Sequence, residues 1–184
     1  MTTRLAIASI CAAAGFLTGC GGGTKPSSAT DCNPPKGAGA VGATVHPSEA
    51  ALLTAVRVES DACVDRVAFA FEGDGAAFPG YRVSYLPAGT ALVEDGSGAH
   101  VALDGSAYLV VRFEPAATAD LSGPELVRTY TGPKRIAAPE NAHSLREVVK
   151  SGDFEAVLTW VIGLDDRRPF AVTRSADGIV VTIG

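Results

Sequence analysis

Three histidines, four cysteines and two pairs of adjacent carboxylates are the side chains of this sequence best suited to chemistry. Nucleophilic catalysis of the serine type needs a serine, a base and an orienting acid within reach of one another. The available bases are His46, His100 and His143. His46 precedes a proline, His100 follows a Gly-rich turn and His143 opens a polar loop, and no G-x-S-x-G stretch occurs. Each reads as a surface loop residue. Metal-assisted hydrolysis would need H-E-x-x-H or another close cluster, yet the histidines lie more than 40 residues apart. No phosphate-cradling G-x-x-x-x-G-K-[ST] or dinucleotide G-x-G-x-x-G loop is present either. The pairs Glu94-Asp95 and Asp165-Asp166 sit in turn-like stretches, where neighbouring carboxylates point apart or into solvent. The sequence therefore gives no catalytic residue, no metal site and no cofactor, and an envelope hydrolase is only the third reading.

The cysteines say more. The amino terminus, MTTRLAIASICAAAGFLTGCGGG, places Arg4 before an apolar run from Leu5 to Phe16. That run is shorter than the roughly 20 apolar residues that span a bilayer and fits a secretory signal. It closes on Leu17-Thr18-Gly19-Cys20, which resembles the lipobox of bacterial lipoproteins. The resemblance implies cleavage before Cys20 and a diacylglyceryl group on its thiol. Such an anchor holds firmly, because each buried CH₂ contributes about 0.8 kcal/mol and two chains are present. The expected location is the extracytoplasmic face of the cell membrane, with the bilayer as a partner through Cys20. Cys11 leaves with the signal. Cys32 and Cys63 remain as an even pair in an oxidising compartment and are expected to form a disulfide, the alternative being two free thiols. Loss of residues 1–19 removes Arg4 and no acidic residue, so the formal charge moves from −5 to −6. That balance excludes nucleic acid as a partner, which would want a basic patch.

These groups must be positioned by the rest of the chain. Residues 20–43, the lipidated cysteine and a Gly/Pro/Ser-rich stretch, read as a tether between the 1–19 signal peptide and a 44–184 β domain. If free, residues 21–42 would span about 25 Å; a bridge at Cys32 leaves about 11 residues and roughly 18 Å. Beyond the tether, period-two alternation marks half-buried strands. Val67, Phe69 and Phe71 alternate with Arg66, Ala68 and Ala70. Tyr81, Val83 and Tyr85 alternate with Arg82 and Ser84. Ala107 to Phe113 is apolar on both faces and reads as a central strand. Leu158, Trp160, Ile162 and Leu164 share a face, which makes Trp160 core, and Ile179, Val181 and Ile183 line the last strand. Residues 157–172 read as a β-hairpin with Asp165 to Arg168 as its turn and Pro169 starting the return strand. In SEAALLTAVRVES (48–60) a strand is expected over the later half. Leu145, Val148 and Val149 have helical spacing, which predicts a short helix over 144–151 with Ser144 as N-cap and Gly152 as stop. The expected fold is all-β, a compact two-sheet β-sandwich-like domain with at most one short helix.

Taken in order, VRVES, DRVAFAFEG, FPGYRVSYL, GDFEAVLTWVIGLDDRRPFAV and GIVVTI resemble the AMIN-like domain over about residues 54–183. The most specific parts are Asp65-Arg66-Val67, Pro79 to Val83 and Thr159 to Leu164. That family looks related to the AMIN domain, which targets amidases and secretion components to the bacterial envelope. The resemblance implies a two-sheet β-fold and a non-catalytic module for cell-wall glycan such as peptidoglycan, or for an envelope protein. The alternative is a structural accessory subunit pairing through a strand edge. Candidate ligand contacts are Tyr81, Arg82, Arg167 and Arg168, since aromatic faces suit sugars and guanidinium forks suit carboxylates.

Overall fold

The computed structural model describes residues 32–45, 49–73, 78–175 and 178–184. The signal sequence, Cys20, the 21–31 stretch and His46 lie outside the described residues.

Where apolar residues alternate, the chain is strand. Among the described residues thirteen strands follow in chain order: β1 (Val41–Ala43), β2 (Ala51–Ser60), β3 (Asp65–Phe71), β4 (Gly80–Tyr85), β5 (Ala107–Glu114), β6 (Ala116–Ala117) and β7 (Ala119–Asp120). After them come β8 (Val127–Arg128), β9 (Arg135–Ala137), β10 (Leu145–Phe154), β11 (Val157–Leu164), β12 (Phe170–Ser175) and β13 (Gly178–Ile183). A six-stranded sheet has the order β1-β4-β5-β11-β10-β9, and a five-stranded sheet the order β12-β13-β3-β2-β6. A small ribbon, β7-β8, stands apart. The described chain is all-β, with sandwich-like sheets and β5 central in the larger one.

The inner faces interlock as the alternation requires. Phe69 from the smaller sheet meets Phe113 edge-on at 4.9 Å between ring centroids and Trp160 at 6.0 Å, both from the larger sheet. Trp160 is fully buried, as are Leu158, Ile162 and Leu164 on the same face. Side chains of this size each stabilise by about 1.5–3 kcal/mol on burial, and close aromatic pairs add about 0.5–1.5 kcal/mol.

Three expectations need correction. The segment 144–151 is not a helix: from Leu145 on it is the first part of β10, antiparallel to β11. Leu145 opposes Leu164 and Val148 opposes Ile162, with a bulge between Leu145 and Glu147. The extra residue, Arg146, puts Leu145 and Val148 on one face three positions apart, which imitates a helical stripe. Val149 faces the other way and packs with Val161. The same device extends β2 over the whole of Ala51–Ser60 rather than its later half. A bulge between Leu53 and Ala55 sets Leu53 and Val56 opposite Phe71 and Phe69. Finally, residues 157–172 are not a hairpin. β11 is already paired with β5 on one side and β10 on the other, so both its edges are filled. The chain must leave the sheet after Leu164, and β12 pairs with β13 in the opposite sheet. Asp165 to Pro169 is thus a crossover between layers.

Two local devices tie the sheets together. Asp65, at the start of β3, is fully buried and accepts hydrogen bonds from Ser60 Oγ (2.7 Å) and from the backbone N–H groups of His143, Ser144 and Leu145 (3.0, 2.9 and 2.9 Å). It therefore grips the start of β10 in the other sheet. Burial alone would raise its pKa, but the four donors outweigh that and leave it lowered. Ser144, expected as a helix N-cap, serves as one of those donors. The second device is the Cys32–Cys63 disulfide, with Cα atoms 5.6 Å apart. Following it, Gly37 accepts a hydrogen bond from Phe170 N–H at 2.7 Å, and β1 pairs with β4. Residues 32–43 are therefore fastened to both sheets.

Candidate functional site

The outer face of the six-stranded sheet has a covered half and an open half. Residues 86–106 fold over the covered half, where Leu92 and Val101 are buried against Val149 and Val161. Glu147, on β10, accepts a hydrogen bond from Asp104 N–H (2.7 Å) and pairs with Arg135, whose guanidinium also donates to the Ala102 carbonyl at 2.6 Å. The fit is close: a β-carbon on Gly163 would overlap the Asp104 carbonyl, so only glycine lets this loop lie on β11. The Asp95 carboxylate rests on Gly152 and accepts the Thr159 hydroxyl at 2.5 Å.

The open half lies over β4 and β5. Here the register aligns Gly42, Arg82, Arg112 and Thr159 in one row across four strands. Arg82 and Arg112 are direct cross-strand partners, both exposed. Like charges in that position oppose pairing. Arg112 has a partial partner in Glu114, at 3.5 Å and with both side chains well exposed, an ion pair worth about 0–1 kcal/mol. Among the described residues no carboxylate pairs with Arg82. Both arginines line a groove of about 470 Å³, bordered by Thr44, Gly80, Glu114 and Pro115. Guanidinium forks of this kind suit an anionic, planar group.

The four residues expected from sequence are not brought together. Arg82 lines the groove, and Tyr81 borders it. The ring of Tyr81, however, lies on the opposite face of β4, beneath the Arg174 guanidinium at 5.7 Å. Arg167 and Arg168 lie at the far end of β4 and engage Tyr85. The Arg167 guanidinium stacks 4.5 Å from the Tyr85 ring centroid. The Tyr85 hydroxyl donates to the Arg168 carbonyl (2.7 Å) and accepts from its N–H (2.9 Å). Burial pushes the Tyr85 phenol up from its ordinary value. Arg168 also pairs with Asp166 at 2.7 Å. The 165–168 charge knot is thus engaged within the crossover and with β4 and β10. Arg112, the partner that completes the groove, escaped the sequence reading because it lies within the apolar run AYLVVRF. Its position opposite Arg82 depends on register, which one strand alone does not carry.

Several other titratable groups are engaged locally. Asp165 pairs with Arg146, and Glu94 with Lys134. His143 Nε2 lies 2.7 Å from the Asp61 carbonyl, and Asp61 pairs with Arg66. Among the described residues no group of three or more His, Cys, Asp or Glu is placed to hold a metal ion.

A family model described as the AMIN-like domain matches residues 51–183, which takes in every strand from β2 to β13. No curated protein and no solved structure matches the chain.

Proposed function

The chain belongs to the AMIN-like domain family, and from that premise we propose that it is a non-catalytic binding or targeting module of the cell envelope. In this reading Cys20 anchors it to the extracytoplasmic face of the membrane. The β domain then holds cell-wall glycan, or an envelope protein, in the Arg82–Arg112 groove. The observation that carries the reading is the cross-strand arginine pair, kept in an exposed groove at a cost to sheet pairing. A net negative chain with two guanidiniums on directly opposed residues suits a local anion site rather than a general polyanion binder. Sedimentation of the purified chain with isolated cell walls tests it. Retention well above that of an unrelated protein of equal charge is expected, and retention equal to that control refutes glycan binding.

The accessory-subunit alternative draws on a different feature. Leu126 and Val127 are more than half exposed on and beside β8, with Leu121 still more so. An apolar ribbon tip of this kind suits a protein partner. Cross-linking from residue 126 in intact cells would yield a specific heteromeric product if that ribbon docks, and none if it does not.

A further inference from the structure

Building on the groove reading above, we infer that the group recognised between Arg82 and Arg112 is a carboxylate, and that Glu114 is an internal competitor for it. The two guanidiniums come from directly opposed residues of β4 and β5, so their backbones lie about 5 Å apart. The Glu114 carboxylate sits on the same outer face, two residues along β5 from Arg112, and approaches its guanidinium at 3.5 Å. That distance makes an ion pair without the short geometry of a bidentate charge-assisted bond. The side chains of Arg112 and Glu114 are 48% and 62% exposed, so water already competes for the contact. Arg82 has no such occupant among the described residues. The groove therefore holds one guanidinium loosely satisfied by a carboxylate and, beside it, a second with no paired carboxylate among the described residues. An incoming carboxylate can take both forks, displace Glu114 into solvent, and relieve the repulsion between the two arginines. A neutral sugar offers neither gain.

The ligand class that follows is a polymer or peptide bearing free carboxylates, as glycan-linked peptides do. The test measures binding of the purified chain to soluble fragments released from cell wall by a muramidase. The second probe is the same fragments with their carboxylates converted to methylamides. Native fragments are expected to bind at least tenfold more tightly than the amidated ones. R82Q and R112Q should each weaken binding roughly tenfold, the loss of one charge-assisted contact. E114Q should tighten it two- to fivefold, and R128Q, on β8, should leave it unchanged. All four positions are exposed, and thermal melts of the variants check that the fold is kept. Equal binding of native and amidated fragments, or an E114Q variant that binds more weakly or the same, overturns the carboxylate assignment while the binding reading survives. Absence of binding to every probe by the unaltered chain removes the glycan reading and the carboxylate assignment with it.

Discussion

Arg82 on β4 and Arg112 on β5 face each other as cross-strand partners on the outer side of the six-stranded sheet. Two guanidiniums in that relationship repel, so the position is better suited to holding an anion than to holding the sheet together. Arg82→Thr should therefore stabilise the fold slightly, by about 0.5 kcal/mol, while weakening retention on cell-wall fragments. Denaturant melts alongside binding measurements check the pairing of these two effects; a variant that loses stability and binding together would show that Arg82 is structural.

Asp65 joins the sheets through four hydrogen bonds to a buried carboxylate. Asp65→Asn keeps the size but replaces one acceptor oxygen by an N–H group, which then faces backbone donors. The expected loss is about 3 kcal/mol, measurable as a lower denaturant midpoint at unchanged slope.

The same carboxylate sets a pH dependence. Its pKa is lowered in the folded chain from the ordinary 3.8, and that of Asp61 is lowered to about 2, chiefly by the Arg66 side chain. Groups depressed by folding stabilise fully above their unfolded values and lose that contribution as pH falls through the folded ones. Stability from this source should be level down to about pH 5 and decline below about pH 4. A melting series across pH 7 to 2.5 checks it, with Asp65→Asn showing a shallower acid decline.

The tight turn between β10 and β11 places Glu155 and Ala156 in the left-handed region, at φ of 51° and 58°. An alanine there costs about 1 kcal/mol that glycine avoids, partly offset by the freedom glycine has when unfolded. Ala156→Gly should raise stability by about 0.5 kcal/mol and leave binding unaltered.

Removing the Cys32–Cys63 bridge frees a loop with a sequence separation of 31. The double replacement Cys32→Ser, Cys63→Ser should lower stability by about 3–4 kcal/mol in the chain-entropy description. Comparable melts with and without reductant on the unaltered chain should reproduce the difference.

The strands were legible wherever each residue of a strand faced one partner residue. Val67, Phe69 and Phe71 alternate cleanly because β3 runs without a bulge, and all three are buried. Legibility failed where a bulge inserted one residue. Leu145 and Val148 then share a face at a spacing of three, which a one-strand reading takes for a helical turn; Leu53 and Val56 share a face in the same way. The crossover after Leu164 was hidden for a different reason. Whether a chain turns back on its own sheet depends on whether its edge is already occupied, and for β11 the occupants come from residues 107–114 and 145–154. The groove was half legible for the same cause. Arg82 stands out within an alternating strand, but its partner Arg112 is set by pairing across sequence, and the separation of Tyr81 from Arg82 follows only once the two faces have different neighbours.

The most direct measurement is side-chain NMR of the arginine Nε–Hε groups while muramidase-released wall fragments are added to the purified chain. The Arg82 and Arg112 signals should shift together and saturably, with those of Arg128 and Arg167 unmoved. Saturable shifts at other arginines, with Arg82 and Arg112 unchanged, would contradict the groove as the site of binding.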